Sequence, residues 1–225
     1  MTMLRKELFQ FFRELAKNNE RGWFLKNKPR YERDVKEPLL QFISDFGPHL
    51  RRINAHLVAD PRPVGGSLFR IHRDVRFSPD KSPYKTHAGV RFSHEESKNV
   101  HAPGFYLHLE PGSVFAAAGI WHPDPVTLKK VRDSMVADSS GWRRAVKSTV
   151  KGKCVLGGDS LKKVPRGYDP EHPLAADLKR KDFIAYVPMT EKEVCSSDFL
   201  KRFGSNCSSM RPLLGFLSRS VGAAW

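Results

Sequence analysis

Arg70, Arg73, Arg76, Lys81 and Lys85 fall within one short stretch that also holds Tyr84 and His87. A guanidinium fork matches two oxygens of a phosphate or carboxylate at once, and a lysine adds compact charge. The intervening turn, Ser78 to Thr86, could present backbone N–H groups to the same anion. A little further on, Tyr106, His108 and Glu110 alternate with Phe105, Leu107 and Leu109, so a strand would show the polar three on one face. These residues predict an anion site contacted by Arg70, Arg73, Arg76, Lys81 and Lys85, with Tyr84, His87 and Tyr106 beside them. His108 is the expected proton donor or acceptor if chemistry occurs, since imidazole does both. The competing expectation is structural: Arg73 lies among Phe69, Ile71, Val75 and Phe77 because it pairs with a carboxylate such as Glu110 or Asp74.

Other chemistries have weaker patterns. His72, His87, His108, Asp74 and Glu110 carry metal-ligating atoms, but no H-x-H or H-E-x-x-H spacing joins them, and no metal is assigned. The seven-residue spacing of His87, His94, His101 and His108 is odd, so successive members would alternate faces of a strand. Gly158-Asp159-Ser160-Leu161 and Asp169-Pro170-Glu171-His172 spell fragments of a serine esterase signature. They lie almost adjacent in a Lys-rich stretch with no hydrophobic strand before the serine, against the layout such a site needs. Phe77, Tyr84, Phe92 and Tyr106 near basic residues could stack bases, although no helix-turn-helix, RNP or zinc-finger pattern is present. Cys154, Cys195 and Cys207 are odd in number and widely spaced, which predicts free thiols.

The elements that must position these residues come in three blocks. Leu4, Leu8, Phe11, Phe12 and Leu15 recur at helical spacing up to Asn18-Asn19. A turn carrying the core anchors Trp23 and Phe24 should follow. A second helix is expected from Pro29 through Phe46, kinked or split at Pro38 and ended or bent at Gly47-Pro48. After the Asp60–Gly66 loop, period-two alternation predicts strands at 67–77, 87–93, 105–109 and 114–121, with Glu110-Pro111-Gly112-Ser113 as a type II turn. Helices are expected at 126–136 and 142–150, then a long surface excursion over 152–173. A short helix at 175–179 and a strand at 183–187 follow. Thr190 and Glu193 form a capping box, and a last helix spans 208–220. The expected fold is one α+β domain over 1–225, with a central, mainly antiparallel sheet (67–121 plus 183–187) flanked by N- and C-terminal helices.

Four stretches carry a resemblance. They are Asn18-Asn19-Glu20-Arg21-Gly22-Trp23-Phe24, Leu68 to His87 with its central Arg73-Asp74-Val75-Arg76-Phe77-Ser78-Pro79, Tyr106-Leu107-His108-Leu109-Glu110-Pro111-Gly112, and Pro165-Arg166-Gly167-Tyr168-Asp169-Pro170. Together they resemble the bacterial and fungal family called domain of unknown function 2461, from about Leu8 to Leu217. The resemblance implies a shared fold and no activity. His72 stands where the family commonly has an aromatic residue, which weakens any ligand role for it.

Composition sets the partner classes. Lys plus Arg number 39 against 24 Asp plus Glu, a net charge of +15. Such a chain attracts polyanions at low salt whatever its task. The expected partner is therefore a phosphorylated small molecule or a nucleic acid, at an anion-recognising site. The alternative is a non-catalytic interaction module whose basic surface meets an acidic protein or nucleic acid. No apolar run approaches the ~20 residues of a membrane span. Charges interrupt the apolar positions of the first 17 residues, so a cytoplasmic location is expected. No cofactor is indicated.

Overall fold

The computed structural model describes residues 4–95 and 102–225. The first helix, α1 (Lys6–Lys17), buries Leu8, Phe11, Phe12 and Leu15, and it closes at Asn18, whose N–H bonds the Leu15 carbonyl. The expected turn at Trp23-Phe24 is instead a helix, α2 (Arg21–Tyr31). Trp23, Phe24 and Leu25 are consecutive and only Tyr31, seven residues past Phe24, repeats at helical spacing, so periodicity gives little signal. Phe24 and Tyr31 nonetheless pack their rings against Phe11, at 6.4 and 5.6 Å between centroids, and tertiary burial sets the conformation. One π-helical turn (Glu32–Lys36) joins α2 to α3 (Glu37–Ile53). It lies just ahead of Pro38, where a proline ring would crowd the carbonyl four residues back, and the wider turn relieves that clash. Helix α3 runs on past Gly47-Pro48 to Ile53.

Six strands form one antiparallel sheet in the order β1-β2-β3-β4-β6-β5. They are β1 (Leu57–Val58), β2 (Ala88–His94), β3 (Gly104–Glu110), β4 (Ser113–Ile120), β5 (Val155–Gly157) and β6 (Phe183–Met189). Gly112 takes φ +80° in the β3–β4 hairpin, the left-handed geometry that position of a type II turn requires. Between β4 and β6 lie α4 (Pro125–Ala137), α5 (Ser139–Lys151) and the single turn α6 (Ala175–Leu178). The capping box at Thr190 opens α7 (Glu191–Val194) with both reciprocal bonds made. The last helix, α8 (Phe199–Val221), starts nine residues before the expected Ser208. Phe199, Phe203, Cys207 and Met210 extend its buried stripe through a polar stretch.

Residues 67–77 are a correction to the expected strand. They make only isolated bridges, Leu68 to Val90 and His72 to Tyr84. Asp74 and Asp80 accept from the backbone N–H groups two residues on, of Arg76 and Ser82. Such Asx turns divert the backbone from a ladder, and Pro79 and Pro83 bring no N–H to one. Phe77, expected on one strand face with Phe69, Ile71, Arg73 and Val75, is instead 93% exposed.

Helix α8 packs on β4 and β6, and α3 packs on α8 and β1. At their junction Phe46 meets Phe92 at 5.0 Å and Phe203 at 4.8 Å. The helices thus cover one face of the sheet and leave the other to the site. Among the described residues no helix is long and apolar enough to cross a membrane.

Candidate ligand-binding site

Strand β3 divides its side chains cleanly. Phe105, Leu107 and Leu109 are fully buried against the helices, while Tyr106, His108 and Glu110 point to the uncovered face. The register places Arg91 of β2 and Ala117 of β4 beside Tyr106, and Gly89 and Phe115 beside His108. His87, one residue before β2, has the same parity as Gly89 and Arg91. The residues on either side of Tyr84 arch over this face. The amide of Asn19 fixes that arch, donating to the Tyr84 carbonyl at 2.9 Å and accepting from its N–H at 3.1 Å. An asparagine that looked like a helix stop is therefore also an anchor for the site.

The result is a cavity of about 800 Å³, ample for a small metabolite. Phe69, Phe115, Trp121 and Ile184 give it apolar walls, and Arg70, Lys85 and Arg91 bring positive charge. Its floor along β4 is Ala117 and Gly119, so no large side chain fills the space.

A hydrogen-bonded row crosses the polar side of the cavity. The Tyr106 hydroxyl lies 3.1 Å from His108 Nδ1, and His108 Nε2 lies 3.2 Å from Glu110 Oε2. Thr86 Oγ1 donates to the other Glu110 oxygen at 2.9 Å. A neutral His108 protonated on Nε2 satisfies the row, donating to the carboxylate while accepting from the phenol. Burial, then the Glu110 charge, pushes the Tyr106 hydroxyl up to about 12. Burial also works against the Glu110 carboxylate, but the bonds from His108 and Thr86 hold it below its ordinary range. The His87 ring stands 4.5 Å from that of His108. Burial first, and His108 second, lower its pKa to about 4, so at neutral pH it is an uncharged imidazole. Ligating atoms of His87, His108 and Glu110 all lie within 4.8 Å of one another.

The predicted cationic contacts divide into two groups. Lys85 and Arg70 line the cavity, with Lys85 Nζ donating to the Arg70 carbonyl at 3.0 Å and sitting 5.5 Å from the Phe69 ring centre. Burial, then the Arg70 charge, lowers the Lys85 pKa. Arg73, Arg76 and Lys81 do not line it. Arg73 pairs with Asp80, rather than with the Asp74 or Glu110 considered from sequence. Arg76 makes a two-pronged pair with Asp74, whose pKa falls to about 2 through that side-chain bond. Lys81 Nζ donates to the Val75 carbonyl. Tyr84 is buried with its ring stacked on Phe24 at 4.1 Å.

His72 lies beside Phe24 and Tyr84, apart from the His87–His108 pair. His94 is buried on the helix side of β2, and His101 lies outside the described residues. Of the aromatics considered for base stacking, Phe92 is buried in the core. In the esterase-like stretch, His172 Nδ1 accepts from Leu174 N–H and Asp169 from Glu171 N–H. Those acceptors serve local turns, and among the described residues no hydrogen bond joins Ser160 to His172.

The sequence reading missed Arg91, Phe69, Phe115 and Trp121 as lining residues, and it missed Thr86 as the partner of Glu110. The run Ala116-Ala117-Ala118-Gly119 was the available signal, because a strand of such small residues leaves one face of its sheet unfilled.

Residues 7–216 match the model of a family described as "Conserved hypothetical protein (DUF2461)". No curated protein matches the chain.

Proposed function

The chain belongs to the conserved hypothetical protein family DUF2461, and from its open cleft we propose that it recognises an anionic small molecule with an apolar body. The observation that carries this reading is the cavity itself. Apolar walls surround a volume of about 800 Å³, with Lys85 and Arg70 together at one edge. A phosphate or carboxylate there meets an ammonium with one of its three donors already used on the Arg70 carbonyl. It also meets an exposed guanidinium that makes no hydrogen bond or ion pair among the described residues. The apolar body then lies along Phe115, Ala117 and Trp121, and the Tyr106 oxygen, its proton directed at His108, keeps an acceptor site toward the cleft. Arg73, Arg76 and Lys81 take no direct part, because Arg73 and Arg76 pair with Asp80 and Asp74 and Lys81 bonds the Val75 carbonyl, all within their own loop.

A thermal-shift panel at physiological salt tests this, using phosphate, pyrophosphate, nucleotides and aromatic carboxylates against wild type, Lys85→Ala and Arg76→Ala. A hundredfold excess over the dissociation constant stabilises the native state by ~2.7 kcal/mol. The expected result is a shift with at least one anion that Lys85→Ala loses and Arg76→Ala keeps. Equal loss in both variants would transfer recognition to the loop and to overall charge. A flat panel would overturn the reading.

A further inference from the structure

We propose that His87, His108 and Glu110 together hold a divalent transition-metal ion, presented to the cleft. This goes beyond anion recognition and stands on separate observations. Two imidazoles and one carboxylate are a donor set that takes zinc or iron(II) and leaves coordination positions open. Metal–ligand bonds of ~2.0–2.2 Å put neighbouring ligand atoms roughly 3–3.5 Å apart around one ion. His108 Nε2 and Glu110 Oε2 already stand 3.2 Å apart, and the His87 donor completes a triangle no wider than 4.8 Å.

The surroundings fit as well. Metal-bound histidines ordinarily use their other ring nitrogen on an oxygen partner, and ligating carboxylates are themselves hydrogen-bonded. Tyr106 Oη stands at His108 Nδ1, and Thr86 Oγ1 donates to the Glu110 oxygen that His108 does not touch. The His87 ring makes no hydrogen bond among the described residues, although it faces His108 and Glu110. A hydrogen-bonded row alone gives that half-buried imidazole no role; a shared ion does. His87 and His108 lie on the cleft lining with Lys85 and Arg70, so the open positions of the ion face the space where an anion would sit.

Chelator-treated full-length protein is titrated with zinc in a calorimeter and with cobalt(II) by visible absorption, in wild type, His87→Ala, Glu110→Gln and His72→Ala. The expected result is one equivalent bound by wild type and by His72→Ala. Affinity should fall at least tenfold in His87→Ala and in Glu110→Gln, and the cobalt spectrum should indicate fewer than six ligands. Folding of each variant is checked by circular dichroism. His87, with no hydrogen bond to lose, is the substitution expected to preserve the fold. Zinc bound equally by His87→Ala and wild type, or no stoichiometric binding by wild type, would overturn the proposal. Because the titration uses metal alone, a positive result beside a flat anion panel would retain the ion site and reject the anion reading.

Discussion

Tyr106 lies where β2 offers a glycine: a Cβ on Gly89 would come within 2.6 Å of the phenol oxygen and 3.0 Å of its ring. The phenol can swing, so Gly89→Ala should cost about 1–3 kcal/mol, read by urea denaturation, and should move Tyr106 off His108. Tyr106→Phe isolates the hydrogen bond. It should cost only ~0.5–1.5 kcal/mol of stability, while zinc affinity drops roughly 10–100-fold for want of a partner at His108 Nδ1. Equal zinc affinity in Tyr106→Phe and wild type would deny the phenol a positioning role. At this scale the sequence was only partly legible. Alternation alone put Tyr106, His108 and Glu110 on one face. It could not bring His87 to them, because the β2–β3 register is set by packing of Val90 and Phe92 against the helices rather than by any motif. Nor could it show that Arg73 and Arg76 would be matched by Asp80 and Asp74, since a strand over 67–77 would send Asp74 to the face opposite Arg73 and leave Asp80 beyond its end.

Among the elements, the arch over the cleft depends on a residue 65 positions away, Asn19. Asn19→Ala removes both of its bonds to Tyr84 and should destabilise the protein by about 1–3 kcal/mol. Hydrogen exchange should speed up over residues 84–87 ahead of the rest of the sheet. Helices α1 and α2 are tied by Arg30, which donates to Glu14 at 2.6 Å and holds that carboxylate below its ordinary 4.5. A depressed acid stabilises the fold above its unfolded value and loses that contribution as pH falls through the folded one. Wild type should therefore lose more stability than Glu14→Gln as pH drops below about 4.5. Parallel pH–melting curves for the two would remove Glu14 from the acid transition. The glycines of β4 and its hairpin should separate in the same way. A Cβ at Gly112 meets nothing within 4 Å, whereas at Gly119 it would lie 1.9 Å from the Phe183 carbonyl oxygen. Gly112→Ala should cost about 1–3 kcal/mol for its positive φ, and Gly119→Ala more, because β6 must move. Elements with strong periodicity, such as α1, β3 and the Thr190 cap, were legible from sequence. Helix α2 was not, since neighbours rather than its own pattern make it helical.

For the whole molecule, a net charge of +15 implies self-repulsion that salt relieves. Melting temperature should rise between low and physiological ionic strength, and scanning calorimetry across that range checks it. A falling temperature would mean that local pairs such as Arg13–Glu191 and Arg76–Asp74 outweigh the long-range field. The strand order has a consequence of a different kind. β4 ends at Ile120 and its neighbour β6 begins at Phe183, so about 60 residues leave the ribosome between them, roughly 3–12 s of synthesis. Throughout that interval β4, with its run of alanines, has an unpaired margin that any other nascent strand could join. The two helices α4 and α5 are made in the same interval. In the finished fold both pack on α8, the helix that covers β4, and α8 is made only after β6, so the margin's own partner is made before its helical cover.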